Sequence, residues 1–343
     1  MSARSTVAVA GLGRMGVGIA VACAIAGSAV WMLDLKIRSP KEAEQAKAAA
    51  QTRVGEALEL LEAIGLLSED QVDQCERRIR YASRDEALAE VLSQSELTCI
   101  FEAVPEVLTA KQEALSALDR AARPSVPIAS TTSSFLATEL AQYLAVPQRF
   151  LNTHWLNPAF LMPLVEVSPS PATTPEVVEA VKGFLRRVGK VPVVLRPSPG
   201  YIVPRLQALV MNEAARLVEE GVASPEDIDL AARLGFGIRF SILGPLEFID
   251  WGGGDILYYA SRYLQGSLEG GERFATPEIV ARNMHTGRNG LRDGIGFYDF
   301  RTCDVGAYQR KVLTELVRLL RHLGVPPVTE EASTRDPATK PRA

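Results

Sequence analysis

The sequence predicts an α/β fold, a doubly wound parallel sheet followed by an all-helical C-terminal domain, on three observations. Short apolar strands alternate with helical stretches over residues 1–196. A glycine-rich turn joins the first strand to the first helix, and an acid closes the second strand. After residue 200 the two-residue period of strands gives way to helix-period segments with clear start signals. At 343 residues the chain suits two domains with ample apolar content for real cores.

The first element, Thr6–Ala10, is a short apolar strand that runs directly into Gly11-Leu12-Gly13-Arg14-Met15-Gly16. An Ala/Val-rich helix follows to about Gly27, and a second strand, Ala29–Leu33, ends at Asp34. A GxGxxG spacing alone is weak, but between a strand and a helix, with an acid at the next strand's end, it marks a Rossmann-type dinucleotide site. Gly11 permits the tight turn, Gly13 lets backbone approach a pyrophosphate, and Gly16 allows close helix–strand packing. The pyrophosphate would rest on the helix N-terminus and its free N–H groups. Asp34 would accept from the adenosine ribose hydroxyls and repel a 2′-phosphate, which selects NAD. Lys36 and Arg38 are the residues through which NADP could still be tolerated.

Residues 40–92 read as helical. Ser39-Pro40 starts a helix, and Val54, Leu58, Leu61 and Ile64 give its apolar stripe. A helix-to-helix turn is expected at 65–68 and a short strand at 79–82. This excursion is longer than a usual crossover and is either a packed hairpin, the preferred reading, or an arm that touches substrate. A buried strand over 97–104, closing with Glu102-Ala103-Val104-Pro105-Glu106, leads to a helix with Lys111 near its start. A strand over 126–130 then ends in the polar turn Thr131-Thr132-Ser133-Ser134. Ligands of such sheets lie beyond the strand C-termini, so these segments converge on one edge.

Residues 150–167 carry the chemistry. Two short apolar runs, 150–153 and 163–167, read as strands flanking a loop with His154, Asn157 and Pro158. Glu166 lies between Val165 and Val167, so it either alternates to the opposite face or is buried against a partner. His154 is the candidate partner, and a histidine held by a carboxylate can move a proton near neutral pH. The stretch by itself leaves open a solvent-facing Glu166 and an unrelated loop histidine. The convergence of strand ends favours the pair.

A helix over 176–188 and a strand over 190–195 complete the first domain. Arg196-Pro197-Ser198-Pro199-Gly200 is the natural boundary. Helices are expected at 204–220, 225–234, 255–268, 277–285 and 306–323, making 197–325 a helical substrate and dimerisation domain. Residues 326–343 are polar and Pro-rich and read as a disordered tail. A net charge of −4 argues against a nucleic-acid or membrane-surface partner. The apolar stretch 15–33 is broken by Gly16, Gly18 and Gly27, which suits buried α/β elements and no membrane span. Four scattered cysteines, without a CxxC pair, point to reduced thiols in the cytoplasm and to no metal site.

On these residues the chain resembles the L-3-hydroxyacyl-CoA dehydrogenase superfamily over about 5–300. The matching blocks are Gly11–Gly16 with Asp34, Glu102–Glu106 with Lys111, Ser130–Ser134, and His154 through Asn157-Pro158 to Glu166. Pro199-Gly200-Tyr201, Glu219-Glu220-Gly221 with Asp227-Ile228-Asp229, Gly244-Pro245-Leu246 and Gly294–Tyr298 complete them. The resemblance implies that His154 is the catalytic acid/base, Glu166 its orienting carboxylate, and Ser133 a donor to the substrate oxygen. It implies an NAD site of Gly11, Leu12, Gly13, Arg14, Met15, Gly16, Asp34, Glu106, Lys111, Ser133 and Asn157. Arg292 joins them, standing where the family usually has a lysine.

Three departures bear on the substrate. Thr131 replaces a common asparagine. Pro204 stands where the family presents an asparagine to the substrate carbonyl; Gln207, about one turn on, is the replacement donor we expect. The segment 235–245, with Arg239, resembles instead the branch holding lambda-crystallin/L-gulonate dehydrogenase and L-carnitine dehydrogenase, and Arg205-Leu206-Gln207 leans the same way. Arg239 would there meet a substrate carboxylate, or else serve a structural ion pair. The resulting expectation is an NAD-dependent, homodimeric enzyme of fatty acid metabolism acting on a short L-3-hydroxyacyl-CoA. A dehydrogenase of a free 3-hydroxy acid is the alternative, and a crystallin-like NAD binder with little turnover the lesser one.

Overall fold

The computed structural model describes residues 5–325; the sequence reading of 326–343 as a tail lies outside them. Eight strands form one sheet: β1 (Thr6–Ala10), β2 (Ala29–Leu33), β3 (Ile79–Ala82), β4 (Leu97–Glu102), β5 (Ile128–Ser130), β6 (Phe150–Trp155), β7 (Leu164–Pro169) and β8 (Val191–Val194). Their order is β3-β2-β1-β4-β5-β6-β7-β8. Every neighbouring pair is parallel except β6–β7, which is antiparallel.

Alternation along the strands builds a core on each face. Val7 and Val9 of β1 pack against helix α1 (Arg14–Ile25), against Val54, Leu58 and Leu61 of α2 (Pro40–Ala63), and with Phe184 of the later helix 175–187. Ala8 and Ala10 face the other way, toward Leu115 and Leu118 of the helix 108–121. Fully buried leucines such as Leu58 and Leu61 contribute roughly 1.5–3 kcal/mol each. The stripe ends one residue early, since Ile64 is the C-cap of α2 and is exposed.

Local signals set the helix ends. The Ser39 hydroxyl accepts from the Glu42 amide, the Glu42 carboxylate accepts from the Ser39 amide, and Pro40 opens α2. The excursion after β2 is a helical hairpin, α2 with α3 (Glu69–Arg78), that leads into β3. Next come α4 (Leu108–Ala121), α5 (Pro175–Arg187) and α6 (Val203–Glu219). Contacts divide the chain into two compact units between Val210 and Met211, inside α6.

The second unit continues with α7 (Pro225–Ala232), α8 (Pro245–Gly252), α9 (Gly254–Ser267), α10 (Glu278–His285) and α11 (Val305–His322), and contains no strand among its described residues. The helix α8 is absent from the sequence expectation because it starts on Gly244-Pro245, without the Ser-Pro-Glu or Thr-Pro-Glu start that marks the equally short α7 and α10. Asp250 of α8 is buried and accepts from the amides of Phe297 and Tyr298 at 3.0 and 2.8 Å. No described helix is long and apolar enough to cross a membrane.

Candidate active site

The first unit carries a cleft of about 1880 Å³ along the C-terminal edge of its parallel strands. Gly11, Leu12, Gly13, Arg14, Met15, Asp34, Glu106, Ser133, His154, Asn157, Pro204 and Gln207 all line it. Twelve sequence-expected site residues thus meet in one place.

At two positions of the glycine turn the backbone leaves no room for a side chain. Gly11 has φ 131°, and a Cβ there would collide with the Ala103 carbonyl. A Cβ on Gly16 would strike the Gly11 carbonyl, so Gly16 sets how closely α1 approaches β1 and does not itself line the cleft. A Cβ on Gly13 would meet nothing within 4 Å. Gly13 is also the N-cap of α1 without a side-chain cap, so the helix's first amides have no internal acceptor. Asp34 accepts from the Lys36 amide at 3.2 Å and from Arg38 Nε at 2.5 Å. An uncapped amide cradle beside a carboxylate fits the pyrophosphate and ribose of NAD. Arg38, considered for a 2′-phosphate, is occupied by Asp34.

The middle of the cleft rests on a buried charge network. Lys111 is 1 % exposed and binds Glu102 Oε1 at 3.1 Å and Glu106 Oε2 at 3.2 Å. Glu102 also accepts from the Val104 amide at 2.8 Å and the Ser130 hydroxyl at 2.5 Å. Glu106 Oε1 accepts from the Thr132 hydroxyl and from the amides of Ser133 and Ser134, at 2.5, 3.1 and 2.9 Å. Burial opposes its ionisation, yet the Thr132 hydroxyl, the Lys111 charge and the Ser134 amide together hold Glu106 below the usual carboxylate range. The sequence reading placed Lys111 on the cofactor wall; the structure places it behind that wall, with Glu106 as the exposed member. Glu102, Ser130 and Thr132 went unassigned. A carboxylate inside the apolar run 97–102 was the available signal, since it requires a partner.

His154 and Glu166 lie directly opposite each other on the antiparallel pair β6–β7. His154 therefore belongs to β6, not to a loop as expected, and is 7 % exposed. Glu166 satisfies both sequence alternatives: it alternates away from Val165 and Val167, and it is fully buried against His154. His154 Nδ1 stands 2.7 Å from Glu166 Oε2. A carboxylate only accepts, so Nδ1 donates, and in the neutral imidazole the second ring nitrogen is the one that carries the lone pair. Glu166 Oε1 accepts from the amides of Ile202 and Val203 at 2.8 and 2.9 Å, at the start of α6, where helix amides favour negative charge.

Two residues missed in the sequence hold this centre. Tyr201 is buried, stacks on His154 with ring centroids 4.8 Å apart and planes 19° apart, and carries φ 47°. That left-handed backbone costs a non-glycine residue roughly 1–2 kcal/mol. Lys190 is buried and donates to the carbonyls of Ala159 and Met162 at 2.7 and 2.8 Å, which fixes the segment after Asn157. Burial pushes the Lys190 ammonium below its ordinary value.

Two expected residues lie in the second unit. Arg239 donates to the Gly235 carbonyl at 3.1 Å and lies 4.8 Å over the Phe248 ring; among the described residues it has no ion pair. Arg292 pairs with Asp255 at 2.9 Å and Asp293 at 3.2 Å.

Fold and site together define an NAD-dependent dehydrogenase. The family model for the 3-hydroxyacyl-CoA dehydrogenase NAD binding domain matches residues 6–198, and that for the C-terminal domain matches 200–300. The chain is 35% identical over 266 residues to the lambda-crystallin homolog of Bos taurus, covering 77% of this chain and 79% of that one. It is 28% identical over 319 residues to 5-formyl-3-hydroxy-2-methylpyridine 4-carboxylate 5-dehydrogenase of Mesorhizobium japonicum, covering 92% and 97%. The crystal structure of the 3-hydroxyacyl-CoA dehydrogenase of Archaeoglobus fulgidus superposes with TM-score 0.72 at 32% identity, covering 94% of this chain and 100% of that one. The chain belongs to the 3-hydroxyacyl-CoA dehydrogenase family. It is an NAD-dependent oxidoreductase that acts on CH–OH groups.

Proposed function

We propose that this enzyme interconverts a short L-3-hydroxyacyl-CoA, such as 3-hydroxybutyryl-CoA, and its 3-ketoacyl-CoA. The carrying observation is His154, held by the buried Glu166, lining the same cleft as the glycine turn. The similarity to the Archaeoglobus fulgidus enzyme supports the acyl-CoA class. The NAD held in that cleft would supply the hydride acceptor for the carbinol carbon. His154, through its second ring nitrogen, removes the hydroxyl proton, and Glu166 stabilises the imidazolium that forms. The Ser133 hydroxyl donates to the oxygen as charge develops on it. Gly11 to Met15, Asp34, Glu106 and Asn157 hold the cofactor, and Lys111 acts through Glu106.

A second reading, a free 3-hydroxy acid of the gulonate or carnitine kind, is favoured by two observations. Pro204 lines the cleft without a donor, with Gln207 beside it, and Arg239 keeps its guanidinium free of any carboxylate among the described residues. In that case a guanidinium such as that of Arg239 has the fork geometry that suits a substrate carboxylate. A cofactor-reduction screen decides between them, using 3-hydroxybutyryl-CoA, free 3-hydroxybutyrate, L-gulonate and L-carnitine with NAD and NADP. The leading reading expects turnover with the CoA ester and NAD. Turnover on a free acid alone would replace it with the second, and cofactor binding without turnover would leave a crystallin-like binder. Exposed apolar side chains such as Met211 at 68% and Tyr263 at 73% support a homodimer, which light scattering tests.

A further inference from the structure

Tyr201 joins three parts of the proposed acid–base centre that come from separate segments. Its ring lies against His154 on β6. Its hydroxyl donates to the Thr132 carbonyl at 2.9 Å and accepts from Asn152 Nδ2 at 3.1 Å. Thr132 immediately precedes Ser133, so this bond pins the turn that presents the Ser133 hydroxyl. The next two amides, of Ile202 and Val203, are those that Glu166 accepts. One residue thus touches the histidine, ties down the serine turn, and leads into the donors that hold the carboxylate. A non-glycine residue kept in the left-handed region persists only where its surroundings over-determine it, and such residues cluster at functional sites.

We propose that Tyr201 is the positioning residue of this centre: its ring fixes the plane of His154 and stabilises the imidazolium, and its hydroxyl sets the distance between His154 and Ser133. The proposal rests on the reading of His154 as acid/base and goes beyond it by separating two tasks within one side chain. An aromatic face attracts a neighbouring cation, so the ring favours protonated His154. The charged or titratable groups against that imidazole are Glu166 on β7 and Tyr201 itself, and Glu106 lines the same cleft.

The two tasks separate in two variants. Tyr201→Phe keeps the ring and loses the hydroxyl. In the oxidation direction its kcat should fall roughly tenfold, because reacting groups misplaced by a fraction of an ångström lose rate. The acid limb of its kcat/KM profile should stay in place. Tyr201→Leu loses both features. Oxidation requires neutral His154, and removing the ring withdraws support from the protonated form, so the acid limb should move to lower pH while kcat falls roughly 100-fold. Cofactor affinity, read by NAD fluorescence titration, should be unchanged in the Phe variant. Wild-type kcat in Tyr201→Phe would overturn the role of the hydroxyl, and an unmoved acid limb in Tyr201→Leu would overturn that of the ring. His154→Ala is run beside them: turnover surviving there removes the acid–base reading and this proposal with it, whereas an inactive His154→Ala beside normal Tyr201 variants removes the proposal alone.

Discussion

The two ends of the cleft are built in different ways. The cofactor end, from Gly11 to Asp34, lies within one strand–helix–strand unit and works mainly through backbone: an uncapped helix start and glycines that clear its approach. The proton-transfer end works through side chains drawn from four segments, namely the Thr131–Ser134 turn, β6, β7 and the start of α6. Its accuracy depends on strand register, since a one-residue slip between β6 and β7 would send Glu166 to the opposite face from His154. The pyrophosphate and ribose cradle is therefore encoded locally and the chemistry non-locally, and substitutions at the two ends should fail in different ways.

The largest effect should come from Glu166→Gln. The amide offers Nδ1 a donor where it now meets an acceptor, which favours the wrong imidazole tautomer. We expect kcat to fall roughly 100- to 10,000-fold with NAD affinity kept, measured by steady-state rates and fluorescence titration. Loss of both together would show that the two ends are not independent.

Gly13→Val attacks the other end. Its side chain enters open cleft above α1 and spares the core, so melting temperature should hold while the Kd for NAD rises by about 100-fold, about 2.7 kcal/mol of binding. A binding constant within threefold of wild type would mean that the pyrophosphate does not approach there. Asp34→Ala is subtler. Loss of the ribose acceptor and release of Arg38 should shift the NAD-to-NADP ratio of kcat/KM by roughly tenfold toward NADP, and an unchanged ratio would place cofactor choice elsewhere.

The smallest effect concerns Glu106. Its carboxyl is held below the usual range in the folded state, so its stabilising contribution is complete above the unfolded value of about 4.3 and is lost as pH falls through the lower folded value. Glu106→Gln should therefore show a shallower loss of melting temperature on acidification than wild type. Identical acid profiles would mean that other carboxylates dominate.

The sequence revealed these two ends unequally. Gly11, Gly13, Gly16 and Asp34 were legible because backbone geometry demands glycine at fixed offsets, and three of those demands appear directly as close approach or open space. His154 and Glu166 were suspected from a carboxylate in an apolar strand, but only the cross-strand register confirms that they meet. Tyr201 and Lys190 were not assigned roles, since an aromatic after glycine and a lysine before a strand carry no pattern of their own. The strand β3 was expected, whereas α8 lacks the Ser-Pro-Glu or Thr-Pro-Glu start that announced the equally short α7 and α10. The family resemblance implies a cofactor role for Lys111, and the structure makes it the buried counter-ion of two glutamates.

The most direct test of the division between a backbone-built binding end and a side-chain-built proton-transfer end is His154→Ala assayed for both properties. NAD binding should match wild type while single-turnover cofactor reduction on the best substrate slows by roughly 100- to 10,000-fold. Reduction within tenfold of the wild-type rate would contradict it.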